Sequence, residues 1–240
     1  MPTLAQSYLA DDAFRPYGEK SESQLRARLP GLLAPVVDML RPDLVVVACN
    51  TASTTALPVI RAALCVPVVG VVPAIKPAAK LSRTKTIAVL GTPGTVRRAY
   101  VDQLIDRFAD GCLVRLAGSV ALVEQAERKL AGHAVDPDVL RAEIAPIFRG
   151  RDGADVDAVV LACTHFPLLV DELRGVTRQS VAWVDSGEAI ARRVESLLPS
   201  KGRARPPTQD TAFSVGGAVD AARARAFAAY GFSRLVPLME

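Results

Sequence analysis

Two cysteines end two near-copies of one short segment, and their surroundings suit acid/base chemistry. Residues 43–49 read DLVVVAC and residues 157–163 read DAVVLAC, so the Asp, two Val, the Ala and the Cys coincide. Each run is apolar and β-branched, which predicts a strand buried on both faces. Small polar residues follow each cysteine. We therefore expect Cys49 and Cys163 at the carboxyl ends of parallel strands, where open α/β sheets bind ligands.

Two such thiols could face each other across one substrate and carry a proton from one face of a carbon to the other. A free thiol has a pKa of about 8.5, so a thiolate base and a thiol acid can coexist near neutral pH. Many racemases use pyridoxal phosphate as an electron sink. No lysine here has a context typical of that cofactor, so the carbanion would be stabilised by preorganised hydrogen bonds and by exclusion of water.

Side chains that can donate hydrogen bonds follow both cysteines. After the first come Asn50, Thr51, Ser53 and Thr54. A helix should begin there, and its free N–H groups can bind a carboxylate and lower the pKa of Cys49. Thr164 and His165 hold the matching positions after Cys163, where the imidazole could hold that thiol's proton or stabilise its thiolate. A single cysteine after a buried strand is more often a core residue, but two in duplicated contexts favour catalysis.

Strands alternate with helices along the chain, which predicts parallel sheets with βαβ crossovers. Strands are predicted at residues 7–10, 43–49, 66–71, 85–91, 112–116, 157–163, 181–184 and 211–215. Helices are predicted at residues 21–40, 52–64, 75–81, 92–108, 119–131, 136–149, 187–198 and 217–230. Pro30 and Pro35 are expected to split the first helix. Residues 199–210 are expected to form an exposed connector. The duplicated cysteine strands favour two related α/β lobes with the site in the crevice between them.

Composition narrows the function classes. The net charge is +4, and the arginines are scattered without interleaved aromatic residues, which argues against a nucleic-acid partner. No 18-residue apolar run and no signal peptide are present, so we expect no membrane partner and a cytoplasmic location. The four cysteines do not have the spacing of a zinc site, so no metal is predicted. Cys65 and Cys112 have apolar neighbours and are expected to be small core residues.

These motifs resemble those of glutamate racemases, in the aspartate/glutamate racemase superfamily. Residues 48–52 (ACNTA) and 162–165 (ACTH) resemble the two signature segments, and residues 16–18 (PYG) resemble a substrate-loop motif. Residues 122–124 (LVE) and 185–187 (DSG) also fall where the family pattern has similar residues. The histidine after the second Cys-Thr favours glutamate as substrate, because similarity to aspartate racemases would lead us to expect Glu there.

The resemblance implies cofactor-independent interconversion of L- and D-glutamate, which supplies D-glutamate for bacterial peptidoglycan. The residues implied in acid/base catalysis are Cys49 and Cys163, with His165, Asp11 and Glu124 assisting. The residues implied to bind or orient glutamate are Tyr17, Gly18, Asn50, Thr51, Thr164 and His165. The implied fold is α/β, with two pseudo-symmetric lobes of mainly parallel sheets flanked by helices. The first lobe would comprise residues 1–80 plus 186–240 and the second residues 81–185. A homodimer is the oligomeric state considered.

The start of the chain departs from the family pattern. Family members open with a strand that ends in an Asp-Ser-Gly turn before a Gly-rich helix start, and this βα unit is missing ahead of the first predicted strand. The unit would bring a carboxylate beside the first thiol and a hydroxyl to the substrate. We therefore expect impaired activity and an unpaired sheet edge.

Two other function classes stay open at this point. One is a catalytically inactive protein of the racemase fold that binds an amino acid or a protein partner. The other is a related enzyme, such as an aspartate racemase or a one-thiol decarboxylase. The presence of both cysteines argues against the decarboxylase, and a substrate panel would separate the remaining alternatives.

Overall fold

A computed structural model describes residues 4–198, 210–217 and 219–238, so most of the predicted connector lies outside the described residues. The strands are β1 (Ser7–Asp11), β2 (Val45–Val47), β3 (Val68–Gly70), β4 (Thr86–Gly91), β5 (Leu113–Gly118), β6 (Ala158–Ala162), β7 (Ala182–Val184), β8 (Thr211–Val215) and β9 (Arg234–Leu238). The helices are α1 (Glu22–Leu40), α2 (Asn50–Ala63), α3 (Ile75–Leu81), α4 (Pro93–Val96), α5 (Ala99–Phe108), α6 (Ala121–Leu130), α7 (Pro137–Phe148), α8 (Gly150–Ala154), α9 (Val170–Val176), α10 (Gly187–Leu197) and α11 (Ala221–Ala228). Short 3-10 helices cover Asp12–Phe14, Tyr17–Glu19 and Phe166–Leu169.

Every strand pairing within the described ranges is parallel. One sheet has the order β5-β4-β6-β7, a second is the pair β2-β3, and a third has the order β1-β8-β9. Helices connect consecutive strands in nearly every case, as parallel pairing requires. The predicted α/β fold of parallel sheets flanked by helices is therefore confirmed.

The four-stranded sheet is buried on both faces. On β4, Ile87 and Val89 pack on the side covered by α3 and α5, whereas Ala88 and Leu90 pack on the side covered by α6, α7 and α9. Strand β6 alternates in the same way, and all five of its residues are buried. Full burial of each large apolar side chain stabilises the fold by roughly 1.5–3 kcal/mol. Strand β6 thus holds the cysteine that follows it in a fixed position.

The strand before the first cysteine is shorter and more exposed than predicted. Strand β2 covers three residues, of which Val47 is buried and Val46 is 38% exposed. The prediction of burial on both faces is therefore right for β6 and wrong for β2. The reason is sheet position. Strand β6 lies between two strands, whereas β2 is paired with β3 alone within the described residues.

The first helix is continuous through both of its prolines, so the predicted split is wrong. Ser21 caps α1 in a reciprocal capping box with Gln24, and the helix ends at Arg41 in the left-handed conformation, with φ 47°. Leu25 is fully buried and α1 packs along α2. Tertiary packing of this kind outweighs the local cost of a missing backbone hydrogen bond.

Other boundaries also differ from the predictions. The helix predicted at 92–108 is two helices, α4 and α5, with Arg97 between them outside the helical conformation. Strand β9, which pairs with β8, was not predicted. Helices α8 and α9 and the 3-10 helix Phe166–Leu169 were also not predicted, because short segments carry little periodicity.

The chain divides into two compact units, each with its own sheets. One comprises residues 1–17, 127–134 and 199–240 and contains the sheet β1-β8-β9. There the Tyr8 ring stacks at tilted angles on Phe227 and Phe232. The other comprises residues 18–126 and 135–198 and contains both remaining sheets. The division predicted from the sequence, at residues 80/81 and 185/186, stays a prediction. Among the described helices, none is long and apolar enough to cross a membrane.

Candidate active site

The first thiol caps a helix. Cys49 has extended backbone angles and its Sγ accepts a hydrogen bond from the Ala52 N–H at 3.5 Å, in the manner of a Ser or Thr N-cap. The start of this helix is tied to its neighbouring strands by Ser53, whose hydroxyl donates to the Val47 carbonyl at 3.1 Å. The same hydroxyl accepts from the Val71 N–H at 2.9 Å. Ser53 therefore has a structural role in holding the thiol's position.

The pKa of Cys49 is raised to about 11, which is opposite to the predicted direction. Burial of the thiol is the largest cause, because a thiolate loses its hydration there. Repulsion from Cys163 raises the pKa further, whereas hydrogen bonds from Ala52 and from the backbone and side chain of Thr51 lower it. The helix start thus acts as predicted, but burial outweighs it.

The second thiol has a different partner. Cys163 follows β6, is 8% exposed, and has its Sγ 3.9 Å from Nδ1 of His165. The Phe166 N–H donates to the Cys163 carbonyl at 3.1 Å, so the chain turns directly after the sulfur into a short 3-10 helix. The predicted pairing of this thiol with the imidazole is consistent with this contact. An imidazole at this distance can exchange a proton with the sulfur after a small movement.

One hydrogen bond joins the two cysteine segments. The Thr164 hydroxyl donates to the carbonyl oxygen of Ala48 at 3.0 Å. Ala48 precedes one thiol and Thr164 follows the other, so the bond links the ends of β2 and β6, which belong to different sheets. Because its single proton is used, the Thr164 oxygen can only accept from a ligand.

A buried amide next to the first thiol offers a further acceptor. Asn50 is 3% exposed, and its Oδ1 has no hydrogen-bond partner in the described part of the chain. A buried unpaired acceptor costs about 1–3 kcal/mol, so it favours a ligand with N–H donors. Thr54, in contrast, bonds the backbone of its own helix through the Asn50 carbonyl at 2.9 Å.

The remaining predicted site residues have varied surroundings. Tyr17 donates its hydroxyl proton to Asp11 at 2.6 Å, and both belong to the unit that contains β1. In the other unit, Gly18 packs on the loop before α4: a Cβ there would lie 2.8 Å from Thr92 Oγ1. Glu124 is an exposed residue of α6.

The other two cysteines are free thiols. Cys112 is partly buried, but Cys65 is exposed, so its prediction as a core residue is wrong. Cys65 lies in the loop between α2 and β3, where its apolar neighbours suggested burial. Across the described ranges, no three His, Cys, Asp or Glu side chains cluster as metal ligands would.

Two buried hydroxyls beside the first thiol were missed by sequence reasoning. Thr92 and Thr95 follow β4, the neighbour of β6, and both lie within hydrogen-bond distance of the Thr51 hydroxyl. These two residues could have been identified from the position of the Thr-Pro-Gly-Thr segment that contains them. It directly follows a buried parallel strand, at the edge of the sheet where Cys163 also lies.

Comparison with known proteins agrees with this geometry. Residues 2–194 match the family described as Asp/Glu/Hydantoin racemase. The chain belongs to this family. A glutamate racemase of Shewanella sp. (strain ANA-3) is 53% identical over 198 residues, which are 82% of this chain and 71% of that protein. A glutamate racemase of Brucella canis is 47% identical over 202 residues, which are 84% of this chain and 73% of that protein.

The family membership extends to the three-dimensional structure. The crystal structure of Escherichia coli glutamate racemase, in complex with L-glutamate and the activator UDP-MurNAc-Ala, superposes with a TM-score of 0.92 at 41% identity. The match covers 99% of this chain and 90% of that one. The resemblance inferred from the cysteine motifs is therefore confirmed.

Proposed function

We propose that this protein interconverts L- and D-glutamate, with Cys49 and Cys163 as the two acid/base groups. The observation that carries the proposal is the 3.0 Å hydrogen bond from Thr164 to the Ala48 carbonyl, which joins two cysteine segments that each follow a parallel strand, in a chain of this family. Similarity to glutamate racemases at 53% and 47% identity supports glutamate as the substrate. The product D-glutamate would supply peptidoglycan synthesis, in line with the family.

The chemistry runs through two thiols of opposite protonation state. A thiolate on one side removes the α-hydrogen as a proton, which leaves the bonding electrons on the carbon. The thiol on the other side donates its proton to the opposite face, and the configuration inverts. The thiol and thiolate have then exchanged roles, so the enzyme form left behind accepts the product enantiomer for the reverse reaction.

The raised pKa of Cys49 sets a requirement on substrate binding. With a pKa of about 11, only about one Cys49 in 10⁴ is a thiolate at pH 7 in the ligand-free protein. The α-ammonium of glutamate brings a positive charge that favours the thiolate form. We infer that the unpaired Oδ1 of Asn50 and the acceptor-only oxygen of Thr164 receive the ammonium N–H groups. The free N–H groups at the start of α2 suit a carboxylate.

The other predicted site residues complete the proposal. His165 would exchange a proton with Cys163, given the 3.9 Å contact between its Nδ1 and the sulfur. Tyr17 and Gly18 are proposed to bind or orient glutamate, and Asp11 and Glu124 are proposed to assist catalysis, in keeping with the family motifs. The homodimer and the cytoplasmic location stay predictions, and sedimentation of the purified protein would measure the oligomeric state.

Circular dichroism of glutamate solutions tests the function directly. We expect L-glutamate and D-glutamate each to lose optical activity in the presence of the protein, with no added cofactor. Aspartate in parallel reactions identifies the alternative substrate. Binding of glutamate by calorimetry without any change in optical activity would contradict the proposal and indicate an inactive protein of this fold.

A further inference from the structure

Two neighbouring aspartates at the end of β1 have different partners. Asp11 accepts the hydroxyl proton of Tyr17 at 2.6 Å. The carboxylate of Asp12, whose side chain is 8% exposed, accepts instead from the Ser214 hydroxyl at 2.8 Å and from the Arg223 guanidinium. Both of these partners lie more than 200 residues further along the chain, in the same compact unit. Asp12 therefore fixes the end of β1 to residues 214–223.

Residues 11–17 form a loop that closes on itself, which we call the Tyr17 loop. The hydrogen bond between Tyr17 and Asp11 joins its two ends. Between them, a short 3-10 helix begins at Asp12, and the ring of Phe14 meets the ring of Tyr17 edge-on, with 6.2 Å between the centroids. Because the loop is short and bonded within itself, a movement of Asp12 would also move Tyr17.

The turn after β8 packs against the Tyr17 loop with no space for a side chain. A Cβ on Gly216 would lie 2.5 Å from the Ala13 Cβ, and one on Gly217 would lie 2.6 Å from Asp12 Oδ2. Gly216 also has a φ of 68°, in the region that favours glycine. The backbone of this turn thus leaves Asp12 little room to move.

Arg223 is held in place by its own helix. Asp220 caps α11 and accepts from the Arg223 N–H at 2.8 Å. The guanidinium lies 5.8 Å from the centroid of the Phe227 ring, within reach of a cation–π contact. A mostly buried carboxylate that loses its cation is strongly destabilised and moves towards water. The charge of Arg223 therefore decides whether Asp12 stays in place.

A second arginine lies near the same carboxylate but pairs more closely with another residue. Arg15 Nη1 is 3.7 Å from Asp12 Oδ1 and only 2.8 Å from Glu127 Oε2. Its side chain is 44% exposed, so water screens its charge. The side chain of Arg223 is 23% exposed and hydrogen-bonded to Asp12, which makes it the main counter-charge.

We propose that Asp12 and Arg223 are positioning residues for glutamate binding, whose ion pair holds the Tyr17 loop where Tyr17 meets the substrate. The role of Tyr17 rests on the proposed function, but the dependence of the loop on the ion pair does not. Neither Asp12 nor Arg223 is assigned to proton transfer. Loss of the pair should therefore weaken glutamate binding and leave the acid/base step unchanged.

The first measurement separates binding from chemistry. Arg223→Met removes the cation and keeps an unbranched apolar chain in its place. We expect KM for both enantiomers of glutamate to rise about 10-fold, with kcat within about 2-fold of the wild type. Arg225→Met is the matched control, because Arg225 lies on the same helix and is exposed. It should leave KM unchanged.

A paired substitution tests whether the two residues act together. Asp12→Asn keeps the shape of the side chain and an oxygen that can accept from Ser214, but it removes the charge. Alone, it should raise KM about 3-fold. In the double variant Asp12→Asn/Arg223→Met no buried charge is left unpaired, so KM should return to within about 3-fold of the wild type.

The second measurement follows Tyr17 without any catalysis. The protein has four tyrosines, so labelling with 3-fluorotyrosine gives four fluorine NMR resonances. Tyr17→Phe and Tyr100→Phe each assign one of them. We expect the Tyr17 resonance to shift or broaden in Arg223→Met and to recover in the double variant. Tyr100 lies on α5 in the other compact unit, so its resonance should not move.

Melting temperatures show which variants are folded, and Asp12→Asn serves as the test if Arg223→Met does not fold. An unchanged KM together with an unchanged Tyr17 resonance in the folded variants would overturn the proposal. A lower kcat at constant KM would also overturn it, since that result assigns the pair to the chemical step. Equal effects of Arg225→Met and Arg223→Met would do the same. If the wild-type protein did not racemise glutamate, the proposed function would fail, whereas the Tyr17 resonance would still decide the role of the ion pair.

Discussion

The two cysteine segments are near-copies in sequence but are held in different ways. Cys49 caps the 14-residue helix α2, where the Ala52 N–H donates a hydrogen bond to the sulfur. Cys163 ends a strand buried on both faces, precedes a turn of 3-10 helix, and has an imidazole as its neighbour. The proposed reaction, which is symmetric in its substrate, would thus use an asymmetric pair of groups.

The proposed chemistry requires that both thiols transfer a proton, but it does not require that their surroundings be alike. A thiolate can be stabilised by fixed N–H and O–H donors or by a group that takes up the proton. Fixed donors are available at the start of a helix, whereas uptake of the proton needs a titrating side chain. Because L- and D-glutamate have equal free energies, kcat/KM must be equal in the two directions however different the two thiols are.

Removal of either sulfur should have the largest effect, and should separate catalysis from stability. We expect Cys49→Ala and Cys163→Ala each to lower kcat by about 10³-fold or more, because each removes a group that transfers a proton. Cys163 packs in the hydrophobic core, so its substitution should cost about 1–2 kcal/mol of unfolding free energy. Cys49→Ala should cost less. Urea unfolding measures this difference, and equal costs would contradict the contrast between the two segments.

The partners of the two thiols should give the next largest effect. We expect His165→Asn and Thr51→Val each to lower kcat/KM by about 10²-fold, equally for both enantiomers. Iodoacetamide alkylation should slow at Cys163 in the first variant and at Cys49 in the second. His133→Asn is the matched control, because His133 is the other histidine and is exposed. Slower alkylation of both thiols in either variant would show that the neighbours of the two thiols do not act independently.

The pH dependence of the unfolding free energy should reveal the titration of Cys49. Its pKa in the folded protein is about 11, above the ordinary value of a free thiol, so the folded state holds this proton more tightly. The resulting stability is present below about pH 9 and is lost as pH rises towards 11. Between pH 8 and pH 10.5, we expect the unfolding free energy of the wild type to fall by about 1–2 kcal/mol more than that of Cys49→Ala. Parallel curves for the two proteins would show that Cys49 titrates normally.

The bond between the two segments should give the smallest effect. Thr164→Val removes the hydroxyl that donates to the Ala48 carbonyl. We expect a loss of about 1 kcal/mol in unfolding free energy and a rise in KM of about 3- to 10-fold. Thr177→Val is a suitable control, because its hydroxyl also donates to a backbone carbonyl, that of Leu173 at 2.6 Å. The control should lose similar stability with unchanged KM. An unchanged KM in Thr164→Val would remove this residue from the glutamate site.

Much of the fold, and the position of both cysteines after parallel strands, could be predicted from the sequence. Alternating apolar runs and helical periodicity predicted eight of the strands near their observed positions, and the duplicated segment correctly placed a cysteine after β2 and after β6. The strand β9 was missed because RLVPL contains a proline and follows a short helix. The exposure of β2 could not be foreseen, since burial depends on which strands become neighbours.

The direction of the Cys49 pKa shift was also beyond the sequence. Local reasoning correctly identified a helix start that lowers the pKa, but the larger contribution is burial, which depends on the whole fold. The contacts of Thr51 with Thr92 and Thr95 were missed for the same reason, because Thr51 and Thr95 are 44 residues apart in the chain. Long-range contacts of this kind leave no spacing pattern.

The close approach of two glycines has a consequence for mutational scanning. A methyl group on Gly94 would lie 2.3 Å from the carbonyl oxygen of Gly18, and one on Gly18 would collide with Thr92. Any larger side chain at either position must push the two segments apart. A selection experiment would therefore find both positions intolerant, although neither glycine has a side chain that could transfer a proton. Sensitivity to substitution there reports crowding, and a deep mutational map should be read with that in mind before reactive groups are assigned from it.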